Sequence, residues 1–356
     1  MKILVISLAG IGDTLFATPL IHELRANHPD ATIDVLVKEA GSRDLLENNP
    51  HVSRVFYKDL LKCGKMEALR FLWPLRRERY ELSINTHPQS RIHYRIAAWL
   101  AGAHMRISHE YECFTPFDRW LVNRTLPQDY SLPAAENNLA VLPMFGAEPK
   151  LPAHELEIFL TPNEKKWADD FLSQNGLTGK KWLGVHVGSG STKNLALRRW
   201  PLEHFIELSQ RLQKQRPDFP VLFFGGPEET GDHEHIRRAA PTAVFPPTKN
   251  LRQAAALLRR AGAFLSVDTA LMHVAAAMKV PAQIVIETPT WNKPIEPYGN
   301  PFTLVKNPVV AGRNLDYYRY DGGDIKGTRE ELLACMASIT VENVFDTVNQ
   351  LVGLTR

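Results

Sequence analysis

Short apolar runs alternate with helical patterns along the first third of the chain. The run Lys2–Ser7 is almost wholly apolar, and comparable runs occupy Thr32–Val37, 52–57 and Leu82–Asn85. After the first run, apolar residues recur at the spacing of one helix face, at Phe16, Ala17, Leu20, Ile21 and Leu24. Continuous apolar strands are typical of a parallel sheet covered by helices on both faces. The pattern therefore predicts an α/β domain.

The turn after the first run contains Gly10, Gly12 and Asp13 and leads towards Pro19. Proline is tolerated only in the first turn of a helix, because it lacks a backbone N–H and its ring clashes with the preceding turn. The regular helix is therefore expected either to begin near Thr18 or to be kinked there.

The same alternation restarts in the second half of the chain, after a Pro-rich and Gly-containing linker at 146–154. Strands are predicted at 182–187, Val221–Phe224, 263–267 and Ala282–Ile286, and helices at 201–215, 250–260 and 271–278. The stretch 328–351 predicts two more helices. We therefore expect an N-terminal Rossmann-like domain at 1–150, a C-terminal Rossmann-like domain at 151–330, and C-terminal helices at 331–356 that can cross back to the first domain.

Length and composition indicate a two-domain globular protein. The chain has 356 residues, of which 44% are hydrophobic and 23% charged. Its longest apolar stretch, 270–286, is interrupted by polar residues, so neither a membrane span nor a signal peptide is expected. Cys63, Cys113 and Cys335 show no paired spacing, which argues against a disulfide framework or a cysteine zinc site. A cytoplasmic location is the expectation.

The net charge of the chain is small, but its charged residues are unevenly distributed along the sequence. The net charge of +3 gives no indication of a nucleic-acid partner, yet residues 54–106 contain eleven lysines and arginines against four acidic residues. This local field favours an anionic partner or an anionic membrane surface. Solvated helix faces explain it equally well.

Two features of the second half are suited to bind an anion. The loop Gly188, Ser189, Gly190, Ser191, Thr192 follows a predicted strand, and a helix begins after Thr269. Backbone N–H groups in such a loop, together with a helix N-terminus, can hold phosphate oxygens. Tight turns without a ligand remain the alternative, since neither loop matches a Walker motif and 10–12 lacks the third glycine of the dinucleotide fingerprint.

Charged residues lie close to these loops in the sequence. Lys193, Arg198 and Arg199 follow the glycine loop and can stabilise a departing diphosphate. Asp268 is either a helix N-cap or a partner for sugar hydroxyls, and His273 considered alone is a structural histidine. The two histidines of 232–235 are two residues apart and face different sides of a helix. No Asp-x-Asp pair follows a strand, so we expect no metal site.

Several of these motifs together resemble glycosyltransferase family nine, the ADP-heptose:lipopolysaccharide heptosyltransferases. In the first half the resemblance lies in 2–19, in 29–31 and in the strand 33–37. In the second half it lies in 186–189, 198–201, 224–228, 248–251 and 268–273, the last followed by three alanines. The similarity spans nearly the whole chain, and the order and spacing of the motifs make it specific.

The resemblance implies a GT-B fold of two facing Rossmann-like domains, with the donor bound in the C-terminal one. It implies an inverting, metal-independent glycosyltransferase without cofactor that moves a heptose from ADP-heptose to the lipopolysaccharide inner core, either Kdo-lipid A or a heptosyl acceptor. Asp13 matches the catalytic base. The donor-binding positions are Gly188, Ser189, Thr192, Lys193, Arg198, Glu228, Asp268, Thr269, Ala270 and His273, and we assign Gly12 and Arg91 to the acceptor. The expected partners are the nucleotide sugar, an anionic glycolipid and the inner membrane surface.

The chain departs from the family pattern at its donor site. Arg198 stands in place of the usual lysine, Ala270 in place of a glycine and Val187 in place of a proline, and 287–290 replaces a Phe-Gly-Pro-Thr loop. These differences keep open a transferase for another sugar nucleotide, or a sugar-nucleotide-binding protein without activity. A nicotinamide-dependent oxidoreductase is a third alternative, but Lys38 stands where its acidic residue is required.

Overall fold

The computed structural model describes residues 1–60, 62–190 and 194–354. They form two compact units. The first unit comprises Met1–Phe159, Lys293–Tyr298 and Arg319–Gly323, and the second comprises Leu160–Asn292, Gly299–Tyr318 and Asp324–Arg356. Within the described part of the chain, no helix has both the length and the hydropathy required to cross a membrane.

The first unit is built on a six-stranded parallel sheet in the order β3-β2-β1-β4-β5-β6. Its strands are β1 Lys2–Ser7, β2 Thr32–Val37, β3 Arg54–Tyr57, β4 Leu82–Asn85, β5 Met105–Glu110 and β6 Arg124–Pro127. Central β1 pairs with two neighbours, so that Val5 lies beside Val35 and Ile84. The predictions for β1, β2 and β4 are confirmed to the residue, while β3 begins two residues later than predicted. The more polar β5 and β6 had not been predicted.

Seven α-helices surround this sheet within the described residues. They are α1 Ile11–Phe16, α2 Thr18–Asn27, α3 Ala40–Leu46, α4 Lys65–Leu72, α5 Ile92–Ala101, α6 Pro116–Leu121 and α7 Ala134–Leu139, with 3-10 turns at Trp73–Glu78 and Leu142–Phe145. Helix α1 ends at Phe16, and after the single residue Ala17 a second helix, α2, begins at Thr18 with Pro19 in its first turn. The first alternative for Pro19 is therefore confirmed, and a separate short helix precedes α2.

The core of the first unit lies on both faces of β1. Ile3 and Val5 pack with Leu20 and Leu24 of α2 on one face. Leu4 and Ile6 pack with the small residues of α5, including Ala98, on the other. Burying one such aliphatic side chain contributes about 1.5–3 kcal/mol. The uninterrupted apolar sequence of β1 thus follows from burial on both faces.

The second unit contains a five-stranded parallel sheet in the order β11-β10-β9-β7-β8. Its strands are β7 Leu183–His186, β8 Val221–Phe224, β9 Ala263–Ser266, β10 Ala282–Ile286 and β11 Phe302–Val305. A Cβ on Gly184 of β7 would lie 2.9 Å from the ring of Phe264 and 3.2 Å from that of Phe224. Glycine therefore lets the aromatic rings of the two neighbouring strands close over β7.

The described helices of the second unit are α8 Pro162–Gln174, α9 Leu202–Gln215, α10 Thr230–Ala239, α11 Leu251–Leu258, α12 Ala270–Ala277, α13 Asn314–Tyr317, α14 Arg329–Ala337 and α15 Val341–Leu354. Short 3-10 turns lie at Leu195–Arg198 and Pro227–Glu229, and a third, Lys293–Ile295, belongs to the first unit.

The two C-terminal helices belong to the second unit. Val344 and Phe345 of α15 are buried in the same core as Phe205 of α9, and Trp200 donates its indole N–H to the carbonyl of Ile339 at 2.8 Å. The apolar face of α15 is thus buried against α9 and the sheet of the second unit.

Candidate functional site

The strand order of each sheet marks where a ligand is expected. In the first sheet, β2 lies on one side of β1 and β4 lies on the other. In the second sheet, β8 lies on one side of β7 and β9 lies on the other. Ligands of open parallel sheets bind beyond the carboxyl ends of the strands at such a switch point. The candidate residues around Asp13 lie at the first switch point, and those around Gly188 and Thr269 lie at the second.

The second unit has a cleft of about 310 Å³ at its switch point. The loops that follow β7, β8 and β9 form its walls together with the start of α11. The lining residues are His186, Ser189, Gly190, Phe224, Gly225, Gly226, Pro227, Glu228, Glu229, Thr248, Lys249, Asn250, Leu251, Ala254, Thr269, Ala270 and Leu271. Its volume falls within the range of small-molecule sites.

Two helix N-termini open into this cleft. Asn250 caps α11 by accepting the Gln253 N–H at 2.9 Å, and Thr269 caps α12 by accepting the Met272 N–H at 3.3 Å. His186 Nδ1 lies 3.2 Å from Thr269 Oγ1. This contact connects the end of β7 with the segment that follows β9. The N-terminal partial charge of each helix favours an anionic ligand.

The loops after β7 and β8 are held together by a buried acidic residue. Glu229 accepts the Gly226 N–H at 2.8 Å, and its carboxylate lies 3.5 Å from Arg199. Arg199 also donates to the carbonyl of Ser189 at 3.0 Å. A Cβ on Gly188 would overlap the Glu229 carboxylate, so only glycine permits this approach.

Beside the cleft, the structure brings together three predicted donor residues. Arg198 Nη1 lies 2.6 Å from Asp268 Oδ2, and the other Asp268 oxygen lies 3.9 Å from His273 Nε2. The Arg198 and Asp268 side chains are each only 11% exposed. None of these three side chains is among the described residues that line the cleft. The guanidinium thus neutralises the Asp268 carboxylate.

His186 and His273 carry no charge at neutral pH. Burial lowers the pKa of His186 to about 3. Burial also lowers the pKa of His273 to about 4, although the neighbouring Asp268 acts in the opposite direction. Positive potential for an anion therefore comes from the helix N-termini and from cationic side chains, of which Lys249 lines the cleft.

At the first switch point, Asp13 occupies the third position of α1. Its Oδ2 accepts the Gly10 N–H at 2.7 Å, and the residue is half-buried. The N-cap itself is Gly10, so Asp13 closes the first turn from inside the helix. Gly12 is buried in the same turn.

Arg91, the other acceptor candidate, is the N-cap residue of α5 and donates to the carbonyl of Gly322 at 3.1 Å. Burial raises the pKa of Tyr94 to about 12, with Arg91 lowering it and Asp13 raising it. Asp13 and Arg91 therefore both act electrostatically on this one tyrosine.

Comparison with known proteins decides the family. Residues 69–317 match the model of glycosyltransferase family 9 (heptosyltransferase). The chain belongs to this family. Among its curated relatives, lipooligosaccharide heptosyltransferase 2 of Haemophilus influenzae is 24% identical over 374 residues, which cover 99% of this chain and 100% of the relative. The resemblance inferred from the motifs is thus confirmed, and the protein is a glycosyltransferase.

Solved structures share the fold. The glycosyl transferase family 9 protein from Veillonella parvula has a TM-score of 0.77 at 21% identity, covering 99% of this chain and 97% of that one. The E. coli heptosyltransferase WaaC, solved with ADP-2-deoxy-2-fluoro heptose, has a TM-score of 0.69 at 19% identity, covering 98% and 99%. The predicted fold class, α/β with two parallel sheets as in GT-B enzymes, is confirmed.

The candidates fall into distinct groups in this glycosyltransferase. Ser189, Glu228, Thr269 and Ala270 line the cleft, and Gly188 lies against Glu229, which also lines it. Arg198, Asp268 and His273 form the adjoining cluster, whereas Thr192 and Lys193 lie outside the described residues. Phe224, Glu229 and Asn250 also line the cleft but were not among the predicted donor-binding residues. Phe224 and Asn250 lie within the family motifs 224–228 and 248–251, and the N-cap pattern at Asn250 was a further signal.

Proposed function

We propose that this glycosyltransferase moves a heptose from ADP-heptose to the lipopolysaccharide inner core, with inversion and without a metal ion. The observation that carries the proposal is the cleft of the second unit, where two helix N-termini and a glycine loop meet at the switch point. A related enzyme, WaaC, has been solved with an ADP-heptose analogue. The acceptor is Kdo-lipid A or a heptosyl residue already attached to it.

In this proposal the donor occupies the second unit. The diphosphate lies at the N-terminus of α12 and the loop that begins at Gly188, where backbone N–H groups can hold its oxygens. Glu228 is exposed at the cleft wall, and its carboxylate is suited to accept hydrogen bonds from hydroxyl groups. Asp268 and His273 contact the sugar, while Arg198 adds positive charge near the departing ADP.

The reaction is a direct displacement at the anomeric carbon. The acceptor oxygen forms the new bond, the bond to the diphosphate oxygen breaks, and the acceptor proton passes to Asp13. ADP takes the electron pair of the broken bond, and its charge is stabilised by the α12 N-terminus and Arg198. The first unit binds the acceptor, with Arg91 supplying positive charge and Gly12 giving close access to the backbone.

Metal independence can be tested directly with the proposed donor. We expect transfer from ADP-heptose to proceed unchanged in excess EDTA, because the helix N-termini and arginines supply the positive potential that Mg²⁺ supplies elsewhere. The measurement is ADP release coupled to a mass shift of the acceptor. Activity that disappears with EDTA and returns with Mg²⁺ or Mn²⁺ would contradict the mechanism.

Parallel assays with UDP-, GDP- and CDP-sugars are the control for donor identity. A donor that binds the folded protein raises its melting temperature by mass action. Stabilisation and transfer with ADP-heptose alone support the proposal. Transfer with another sugar nucleotide indicates the first alternative, and stabilisation without transfer indicates a binding protein.

We further propose that the enzyme works on the cytoplasmic face of the inner membrane through an exposed aromatic surface of the first unit. This aromatic surface consists of Trp73, Phe117 and Trp120, each at least half exposed. Phe117 stacks on Trp120 at 5.7 Å between ring centroids, and Arg76 lies 4.9 Å above the Trp73 ring. Aromatic rings with basic neighbours are suited to an anionic lipid interface.

Vesicle binding tests this surface. Replacing Phe117 and Trp120 together with serine should weaken binding to anionic vesicles at least tenfold, since burying one large apolar side chain is worth about 1.5–3 kcal/mol. Leu333→Ser, at an exposed position of α14 in the second unit, serves as the control. Equal binding of all three proteins in a flotation assay would contradict the assignment.

A further inference from the structure

A cluster of two histidines and a glutamate lies in the first unit, away from both switch points. His22 is on α2, His51 is in the loop before β3, and Glu157 is near the end of the unit's main segment. Their ligand atoms all lie within 4.8 Å of one another, and among the described residues they form the one such group of three. No spacing in the sequence indicates this group.

The three side chains converge on a small volume. His22 Nδ1 lies 2.8 Å from Glu157 Oε1, and His51 Nε2 lies 3.8 Å from Glu157 Oε2. The two imidazole rings are stacked, with centroids 3.8 Å apart and planes 17° from parallel, so one ring must rotate for both nitrogens to point at a single ion. Within the described part of the chain, the buried Oε2 of Glu157 has no hydrogen-bond partner. A buried carboxylate oxygen that lacks a hydrogen bond and faces an imidazole nitrogen is available to a ligand.

The backbone around each ligand is held in place. His51 donates its N–H to Asn49 Oδ1 at 2.9 Å, and Arg25 donates to the His51 carbonyl at 3.3 Å. Glu157 donates its N–H to Thr18 Oγ1 at 3.0 Å, and His22 lies within α2. When the backbone is fixed, an ion has only the side chains of its ligands to restrict on binding.

We propose that His22, His51 and Glu157 bind one Zn²⁺ ion. Two imidazole nitrogens and one carboxylate oxygen are a ligand set that zinc accepts, with water completing a tetrahedron. The ion joins α2, the loop before β3 and the segment around Glu157, so its role is to tie these three parts of the unit together. It takes no part in glycosyl transfer, so the metal-free mechanism does not depend on it.

Zinc uptake by chelator-treated protein tests the proposal. Equilibrium dialysis with elemental analysis should show one Zn²⁺ per wild-type chain, and about one equivalent less in His51→Gln and in Glu157→Gln. The matched control is His104→Gln, which changes an exposed histidine elsewhere in the same unit. Mg²⁺, which prefers oxygen ligands, should not compete.

A second measurement keeps the test valid if one variant is unstable. Co²⁺ in place of Zn²⁺ should give visible absorption bands in the wild type and in His104→Gln, and these bands should be missing from both cluster variants. Zinc should also raise the melting temperature of the wild type but not that of His51→Gln. Equal uptake by wild type and both cluster variants, or no uptake by the wild type, would overturn the proposal. The transfer assay is unaffected by either outcome.

Discussion

Replacing Asp13 with asparagine is expected to lower turnover by at least about a hundredfold, since general-base assistance contributes about a hundredfold to ten-thousandfold. The melting temperature and donor affinity should stay at their wild-type values. Asp13 closes the first turn of α1 by accepting the Gly10 N–H, and the amide oxygen of asparagine can accept the same bond. An amide cannot take up the proton of the acceptor hydroxyl, so only the rate of the chemical step should fall.

The matched control is Glu331→Gln. Glu331 occupies the same third position of α14 and accepts the Thr328 N–H, but it lies in the second unit outside the cleft. Its substitution should change neither stability nor turnover. Near-normal steady-state turnover in Asp13→Asn would show that the base is another residue, and the proposed proton transfer would have to be abandoned.

Replacing Arg198 with alanine should reduce both stability and ADP affinity. The side chain pairs with Asp268 at 2.6 Å, and both groups are nearly buried. Removing one partner of a buried pair leaves a charge without compensation and costs about 3–5 kcal/mol. We expect chemical denaturation to show a loss of this order and calorimetry to show weaker ADP binding.

A second substitution separates the two effects. Combining Arg198→Ala with Asp268→Asn removes the uncompensated charge, so stability should largely return. ADP affinity should not return, because the guanidinium that lies near the diphosphate in the proposal is still missing. Arg198→Lys, which keeps that charge, should retain most of the affinity. If the double variant bound ADP as tightly as wild type, Arg198 would be a partner of Asp268 alone.

The apolar strands could be predicted from the sequence, whereas the polar ones could not. β1, β2, β4, β8 and β10 begin and end where their apolar runs do, because these strands are buried on both faces. β5 and β6 contain Arg106, His109 and Arg124, and such residues interrupt an apolar run. β11 had not been predicted either, and three of its four residues are only partly buried, so its pattern is weaker.

The site could be predicted in part. The glycine loop and the start of α12 carry local signals, and both contribute to the cleft. The pairing of Arg198 with Asp268 joins residues 70 positions apart, and the contact of Glu229 with Arg199 joins two different loops. Such contacts depend on the order of strands in the sheet, which no local pattern contains.

The contact between Arg199 and Glu229 has an entropic consequence for any ligand of the cleft. It joins a described residue that follows β7 to one that follows β8, so these two positions are already connected when no ligand is bound. A ligand that meets this part of the wall loses its own freedom but need not restrict these residues as well. More of each contact is then expressed as affinity.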